Sequence, residues 1–282
     1  MARFVLVALK LAVIAIAFES VFALFQFSTG NPDGRFASNI QIDGPEWESA
    51  DDFAVCTPKD LASGSVYVLL PKKVNPLIHI AQAHFEIYRI FPNDSAPFDG
   101  KVPSRTNSPS DVDLSPMARD TASGNLRVFP RLVKTSYSVS NSVFRRMFKL
   151  PANVTTGGDG PLTGSLYEFN FVFKNPVSLP VGRFFAVFQL KYTSAGASLA
   201  TFPPLAVSAA GPTPGTGDLQ SWGRKRGSTA TTNIFNDWER FGTDVVGGGV
   251  KYNIAFSLTG CISTDASVPP AKGGQTAALR TC

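Results

Sequence analysis

Hydrophobic and polar residues alternate along several segments of this chain with the two-residue period of a half-buried β-strand. Within residues 166–174, one face carries polar side chains such as Glu168 and Asn170, and the other carries only aromatic ones: Tyr167, Phe169, Phe171 and Phe173. Residues 80–91 and 251–258 repeat the alternation. Residues 183–192 alternate less cleanly and are expected to be buried on both faces.

Further strands are predicted from weaker alternation at residues 52–55, 65–70, 126–133, 137–143 and 199–207. Strands with one polar face belong to antiparallel sheets. Several of them separated by Gly- and Pro-rich loops predict an all-β fold, an antiparallel, jelly-roll-like β-sandwich. Three long loops are expected, at residues 92–124, 151–164 and 209–236, and Ser142 is expected to cap a helical turn that ends before Pro151.

The first 23 residues have the pattern of a cleavable signal peptide, with a charged head, an apolar run and small residues at the exit. Cleavage is predicted after Ala23, and an uncleaved membrane anchor is the alternative. The predicted organisation is therefore a signal peptide at residues 1–23, one β-sandwich domain at 24–262 and a flexible polar tail at 263–282. This pattern predicts a secreted, extracellular protein without a membrane anchor after cleavage.

Composition agrees with one large β-domain, because 44% of the residues are hydrophobic and 23 of them are Phe. The 24 Gly and 21 Pro indicate many turns. The formal net charge is +5, and the basic clusters at residues 145–146 and 224–226 do not lie among stacked aromatic residues. Nucleic acid is therefore not an expected partner.

The three cysteines are Cys56, Cys261 and Cys282, so one is left over if two are oxidised outside the cytoplasm. A Cys261–Cys282 disulfide that closes the tail is favoured slightly over a Cys56–Cys261 bridge. A zinc site is not expected, since there is no Cys-x-x-Cys motif and only His79 and His84 are present.

Several local motifs occur in an order that resembles an uncharacterised group of exported bacterial proteins, many of which end in a PEP-CTERM sorting signal. The resemblance covers residues 27–260 and is specific as a set. It implies an extracytoplasmic β-sandwich and no established activity, and this chain lacks the apolar C-terminal helix of that signal. The motifs are residues 27–34 (FSTGNPDG), 48–53 (ESADDF), 86–95 (EIYRIFPNDS), 102–111 (VPSRTNSPSD), 218–222 (DLQSW), 237–244 (DWERFGTD) and 255–260 (AFSLTG).

Catalysis has little support in this sequence. The chain has no Gly-x-Ser-x-Gly motif, and the two histidines are predicted on opposite faces of one strand. Asp237 and Glu239 are the candidates for a pair of carboxylates of the kind used in glycoside hydrolysis. Calcium is the one cofactor considered, with Asp51 and Asp52 as ligands beside Asn31 and Asp33, although a turn and strand-start hydrogen bonds are favoured because no full ligand spacing is present.

The main functional prediction is non-catalytic binding of a glycan or an extracellular protein at the cell surface or in the matrix. The expected contacts are Trp222, Trp238, Arg240 and Asp244, because an exposed indole ring can stack on a sugar while polar groups bind its hydroxyls. An extracellular carbohydrate-active hydrolase and a purely structural coat or matrix protein are the alternatives. Asn93 and Asn153 begin N-glycosylation sequons, which matter only in a eukaryotic host.

Overall fold

The computed structural model describes residues 24–42, 46–90, 107–114, 120–145, 155–210, 221–226 and 238–262. These residues form fourteen strands, two short α-helices and one π-helical turn. The strands are β1 Leu24–Ser28, β2 Pro32–Asn39, β3 Glu46–Val55, β4 Lys59–Leu70, β5 Ile80–Ile90, β6 Pro109–Asp113, β7 Leu126–Val139, β8 Asn141–Val143, β9 Leu162–Leu179, β10 Gly182–Tyr192, β11 Leu205–Ala209, β12 Trp222–Arg226, β13 Glu239–Arg240 and β14 Phe256–Ile262. The helices are α1 Pro76–His79 and α2 Ser194–Leu199, and the π-helical turn spans Phe241–Val246.

The first sheet is built around β4. On one side β4 pairs with β9, which pairs with β7. On the other side β4 pairs first with β14 and then with β11, and these continue to β1 and to β2–β8. All of these pairings are antiparallel except that of β2 with β8.

The second sheet has the order β13-β12-β3-β10-β5-β6, and its pairings are all antiparallel. The inner faces of the two sheets pack against each other, as predicted for a sandwich. Their shared core is built on phenylalanine rings, and the rings of Phe85 and Phe171, from opposite sheets, have centroids 4.7 Å apart. The alternation within residues 166–174 and 80–91 therefore does set which side chains enter the core.

Gly64 in β4 is required by close packing. A Cβ atom at this position would lie 2.2 Å from the Ser257 carbonyl oxygen and 2.5 Å from Cζ of Phe171. A glycine inside a strand commonly marks such a close approach. The Phe171 ring thus lies directly against the backbone of the neighbouring strand.

Strand β7 forms a long edge of the first sheet, since β9 is its only strand partner within the described ranges. Its register with β9 shifts twice, between Leu132 and Lys134 and between Lys134 and Tyr137. Pro130 lies in its middle and has no N–H to donate, which is typical of an edge strand. Most side chains from Arg127 to Ser136 are exposed or half-exposed.

The strong strand predictions at residues 80–91, 166–174 and 183–192 are confirmed by β5, β9 and β10, and β10 is buried on both faces. The predicted strand at 251–258 is displaced, because β14 begins only at Phe256. The predicted strand at 199–207 is displaced as well, because residue 199 ends α2 and β11 begins at Leu205. The predicted cap is wrong, since Ser142 lies in β8, where its hydroxyl donates to the Gly160 carbonyl.

None of the helices formed by the described residues is long and apolar enough to cross a membrane. The predicted signal peptide and the predicted polar tail both lie outside the described residues.

Candidate functional site

The outer face of the second sheet carries a cluster of charged and aromatic side chains that is closed to solvent. We call Glu48, Glu86, Tyr88, Arg224 and Trp238 the buried polar cluster. Glu48, Arg224 and Trp238 have exposed fractions of 0%, 1% and 0%. They meet because β12 pairs with β3 so that Arg224 lies directly opposite Glu48, and both side chains point away from the core.

An ion pair forms the centre of this cluster. The Arg224 Nε donates a hydrogen bond to Glu48 Oε2. The Tyr88 hydroxyl lies 3.2 Å from Glu48 Oε1 and also contacts the Glu86 carboxylate. The guanidinium carbon of Arg224 lies 4.5 Å from the ring centroid of Trp238 and 5.6 Å from that of Tyr88. Coulombic attraction, hydrogen bonds and cation–π contacts thus all stabilise one buried cation.

The surroundings also fix the protonation of Tyr88. Burial raises the pKa of Tyr88 well above its ordinary value, and the neighbouring carboxylates of Glu48 and Glu86 raise it further. Arg224 acts in the opposite direction but does not outweigh them. The hydroxyl therefore keeps its proton at neutral pH and serves as a hydrogen-bond donor.

The four predicted contact residues come together beside this cluster, but they do not form an exposed platform. Trp222 and Trp238 are both 0% exposed, so the prediction of solvent-facing indole rings is wrong. The guanidinium of Arg240 lies 4.7 Å from the Trp222 ring centroid, and Asp244 Oδ2 accepts the Arg240 backbone N–H at 3.0 Å. The ring faces that would stack on a sugar are occupied by arginine, and Asp244 caps a turn.

The candidate calcium ligands act as hydrogen-bond acceptors for the backbone. Asp51 Oδ1 accepts the N–H of Asp52, and Asp51 Oδ2 accepts the N–H of Ile254 at 2.5 Å. Asp33 Oδ1 accepts the N–H of Arg35 at 2.9 Å, which makes an Asx turn. Among the described residues, no three acidic, histidine or cysteine side chains are grouped so that they could hold a metal ion.

The buried carboxyl of Asp51 is electrostatically unusual. Burial raises its pKa well above the ordinary value, and the adjacent charge of Asp52 raises it further. The hydrogen bonds from Ile254 and Asp52 lower the pKa but do not outweigh burial. This side chain joins β3 to the segment before β14 through its hydrogen bond with Ile254.

The residues considered for catalysis are scattered. Glu239 is 6% exposed in β13, and Asp237 lies outside the described residues. His79 ends α1, where its Nδ1 accepts the Asn75 N–H at 2.9 Å, and His84 Nε2 lies 2.6 Å from the Gln82 amide nitrogen. Burial lowers the pKa of His84. Among the described members of this set, Glu239, His79 and His84 do not contact one another in the manner of a nucleophile and its base.

The predicted disulfide is also corrected. Cys261 carries a free, partly exposed thiol, whereas Cys56 is disulfide-bonded. The alternative Cys56–Cys261 bridge is excluded in the same way, and the two residues follow or belong to strands of different sheets. Cys282 and the two sequon residues, Asn93 and Asn153, lie outside the described residues.

Sequence reasoning missed an apolar groove at the open side of the sandwich, where α1 and β5 face the edge strand β7. The groove has a volume of about 220 Å³, and its lining combines apolar residues such as Leu77, Ile80, Val128, Pro130 and Phe169 with the polar Gln82 and Thr121. Leu77 is 74% exposed, its chain neighbour Ile78 is 64% exposed, and Leu132, two residues beyond Pro130 in β7, is 47% exposed. Within the described ranges β9 is the only strand that pairs with β7, so this edge of the sheet is left open.

The short helix α1 holds the two exposed aliphatic residues in place. Asn75 caps it by accepting the Leu77 N–H at 3.1 Å, and Pro76 occupies its first position. The Asn-Pro pair in residues 75–76 was the signal that could have revealed this helix. Its apolar residues carry no helical signal of their own, because four residues are too few to show helical periodicity.

Comparisons with known proteins bring no further information on this site. No protein-family model matches the chain, and neither a curated protein nor a solved structure matches it significantly. The resemblance to exported PEP-CTERM-associated proteins therefore stays a prediction, and function has to be inferred from the geometry alone.

Proposed function

We propose that this chain is an exported, non-catalytic β-sandwich protein that binds a protein partner through the apolar groove between α1, β5 and β7. The observation that carries the proposal is the 74% exposure of Leu77, which lines a cavity of about 220 Å³, with its chain neighbour Ile78 64% exposed. Contiguous exposed apolar surface beside a concave site is typical of a protein interface.

The free energy available at this groove is sufficient for specific binding. Burying one Leu or Ile side chain stabilises a complex by about 1.5–3 kcal/mol. The Asn75 cap and Pro76 hold α1 in position before binding, which reduces the entropy lost when a complex forms. The cavity has room for a large apolar side chain supplied by the partner.

Charge around the groove defines the partner further. Lys72 and Lys73 are exposed in the turn before α1. Two acidic residues adjoin lining residues in the chain: Asp120 precedes Thr121, and Glu168 precedes Phe169 but is paired with Arg131. We therefore infer a partner segment in which a large apolar side chain is flanked by carboxylates.

Export is supported by the leader pattern of residues 1–23 and by the resemblance described above. It predicts that protein recovered from the culture medium of the producing cell begins at Leu24. N-terminal sequencing measures this directly, and a mature chain that begins at Met1 in the cell lysate would contradict it.

The experiment for the groove starts from a photo-crosslinking amino acid placed at position 78 in the producing cells. The same amino acid at Ser136, on the far part of β7, is the matched control. The captured protein is then purified, and its affinity for the wild-type chain is compared with that for Leu77→Asp. We expect at least about 30-fold weaker binding, because a central interface residue contributes about 2 kcal/mol or more.

A Lys72→Glu/Lys73→Glu variant tests the acidic character of the partner. It should bind more slowly, and its association rate should depend less on salt than that of the wild type. Equal capture at positions 78 and 136, or equal affinity for Leu77→Asp, would refute the proposal. Concentration-dependent dimerisation that Leu77→Asp abolishes would also refute it, since a second copy of this chain would then occupy the groove.

A further inference from the structure

The outer face of the first sheet lies on the opposite side of β7 and β9 from the groove and carries a belt of polar side chains, of which Ser65 is 6% exposed. In β9 the inward positions are the core residues Phe169 and Phe171, so Glu168 and Asn170 point outward. The register places Phe129 of β7 opposite Asn170, and Ser65 of β4 on the other side of Asn170.

This belt continues across four strands. Ser65 pairs with Ser257 of β14, and their hydroxyl oxygens are 2.9 Å apart. Three strand spacings of about 4.8 Å each separate β7 from β14, so the row from Phe129 to Ser257 is about 14 Å long. We call Phe129, Asn170, Ser65 and Ser257 the outer row.

A second row runs beside the outer row. Arg131 Nε donates to Glu168 Oε2 at 3.0 Å, and the Tyr67 hydroxyl is hydrogen-bonded to Glu168. The side chain of Arg131 is 64% exposed, whereas that of Glu168 is only 13% exposed. Arg131 and Glu168 are therefore paired with each other, and together they add no net charge to this row.

One aromatic ring stands out on this polar face. Phe129 is 54% exposed and is the only aromatic residue among the strongly exposed large hydrophobic side chains of the described residues. Its neighbours across the strands are amide and hydroxyl groups, so a flat apolar ring lies next to a line of hydrogen-bonding groups. The other three residues of the outer row are polar, so the Phe129 ring has no aromatic neighbour within that row.

We propose that the outer row is a binding surface for an uncharged polysaccharide, with Phe129 as the stacking ring. A pyranose ring presents an apolar C–H face and a periphery of hydroxyls, which match an aromatic face and adjacent amide and hydroxyl groups. The paired charges of Arg131 and Glu168 favour a neutral ligand over an acidic one. The more accessible end of the row, formed by Phe129 and the half-exposed Asn170, carries the contact with the sugar.

A glycan would then bind to the first sheet at Phe129, and not to the second sheet at the two buried tryptophans. It is independent of the protein groove, because α1 and the groove lining lie on the open side of the sandwich. A chain with both surfaces would connect a protein to a polysaccharide outside the cell.

Affinity electrophoresis through gels that contain a soluble polysaccharide tests this surface. The probes are dextran, xylan and a β-1,3-glucan as neutral polymers, with alginate as the acidic one. The wild-type chain should be retarded by at least one neutral polymer and not preferentially by alginate. Phe129→Ala should raise the dissociation constant about tenfold, and Asn170→Ala should raise it as well.

Leu199→Ala, which also shortens an exposed apolar side chain but lies on α2, is the matched control and should be retarded like the wild type. Leu77→Asp should also be retarded normally, which separates this surface from the groove. Thermal unfolding of Phe129→Ala should match the wild type, because the ring is exposed. Absence of retardation in every neutral gel, preference for alginate, or normal retardation of Phe129→Ala would overturn the proposal.

Discussion

Breaking the ion pair between Glu48 and Arg224 tests the interpretation of the buried polar cluster. The side chains of Glu48 and Arg224 are 0% and 2% exposed. When one of them is removed, water therefore cannot solvate the charge that remains. Removing one member of such a pair costs about 3–5 kcal/mol. The cation–π contact of Arg224 with Trp238, at 4.5 Å, is lost in the same substitution.

We therefore expect Arg224→Met and Glu48→Gln each to lower the free energy of unfolding by about 3–5 kcal/mol. The double variant should lose much less than the sum of the two, because no unpaired charge of the pair is left buried. Urea unfolding followed by tryptophan fluorescence measures these values, since Trp222 and Trp238 are both buried. Single variants that lose less than about 1 kcal/mol, or losses that simply add, would refute the reasoning.

Two further predictions concern single residues. Because burial raises the pKa of Asp51, the native state holds this proton more tightly than the unfolded chain, so the free energy of unfolding should fall as the pH rises from about 4 through the native pKa. Asp51→Asn removes this dependence and loses one backbone hydrogen bond, so it should be about 1 kcal/mol less stable at low pH, and its deficit should shrink or reverse toward neutral pH. Parallel stability curves for the two proteins between pH 4 and 8 would contradict this. Cys261→Ser should change the free energy of unfolding by less than about 1 kcal/mol, because the thiol is free and partly exposed. A loss of about 2–5 kcal/mol in urea unfolding would instead support a disulfide at Cys261.

The part of the fold that sequence alone predicted is the part that is half-buried. Phe169, Phe171 and Phe85 alternate with polar residues because one face of each strand meets the core and the other meets solvent. That regular pattern predicts strand identity, sheet direction and fold class together.

A strand whose buried side chains are themselves polar could not be predicted from this alternation. β12 has the sequence WGRKR, which is typical of a solvated basic loop. It forms a strand because Arg224 pairs with Glu48, a residue 176 positions away in the chain. The burial of Trp222 and Trp238 depends on the same long-range pairing, so the predicted residues were brought together while their predicted exposure was wrong.

The groove was missed for a different physical reason. Its walls come from α1, β5, β7 and β9. Leu77, Pro130 and Phe169 are far apart in the sequence, and only the packing of the two sheets brings them to one cavity. Single exposed aliphatic residues carry no periodic signal in a sequence. The outer row behind Phe129 likewise depends on the register of four strands.

The edge strand β7 has a consequence for how copies of this chain can assemble. A strand approaching its free side finds no amide at Pro130, a cationic side chain at Lys134 and two interruptions of the register within a few residues. Continuous backbone pairing between molecules is therefore blocked, and the long open border does not serve as a template for fibrils. Copies of this chain that associate along the β7 edge therefore have to do so through side-chain contacts rather than through a continued sheet.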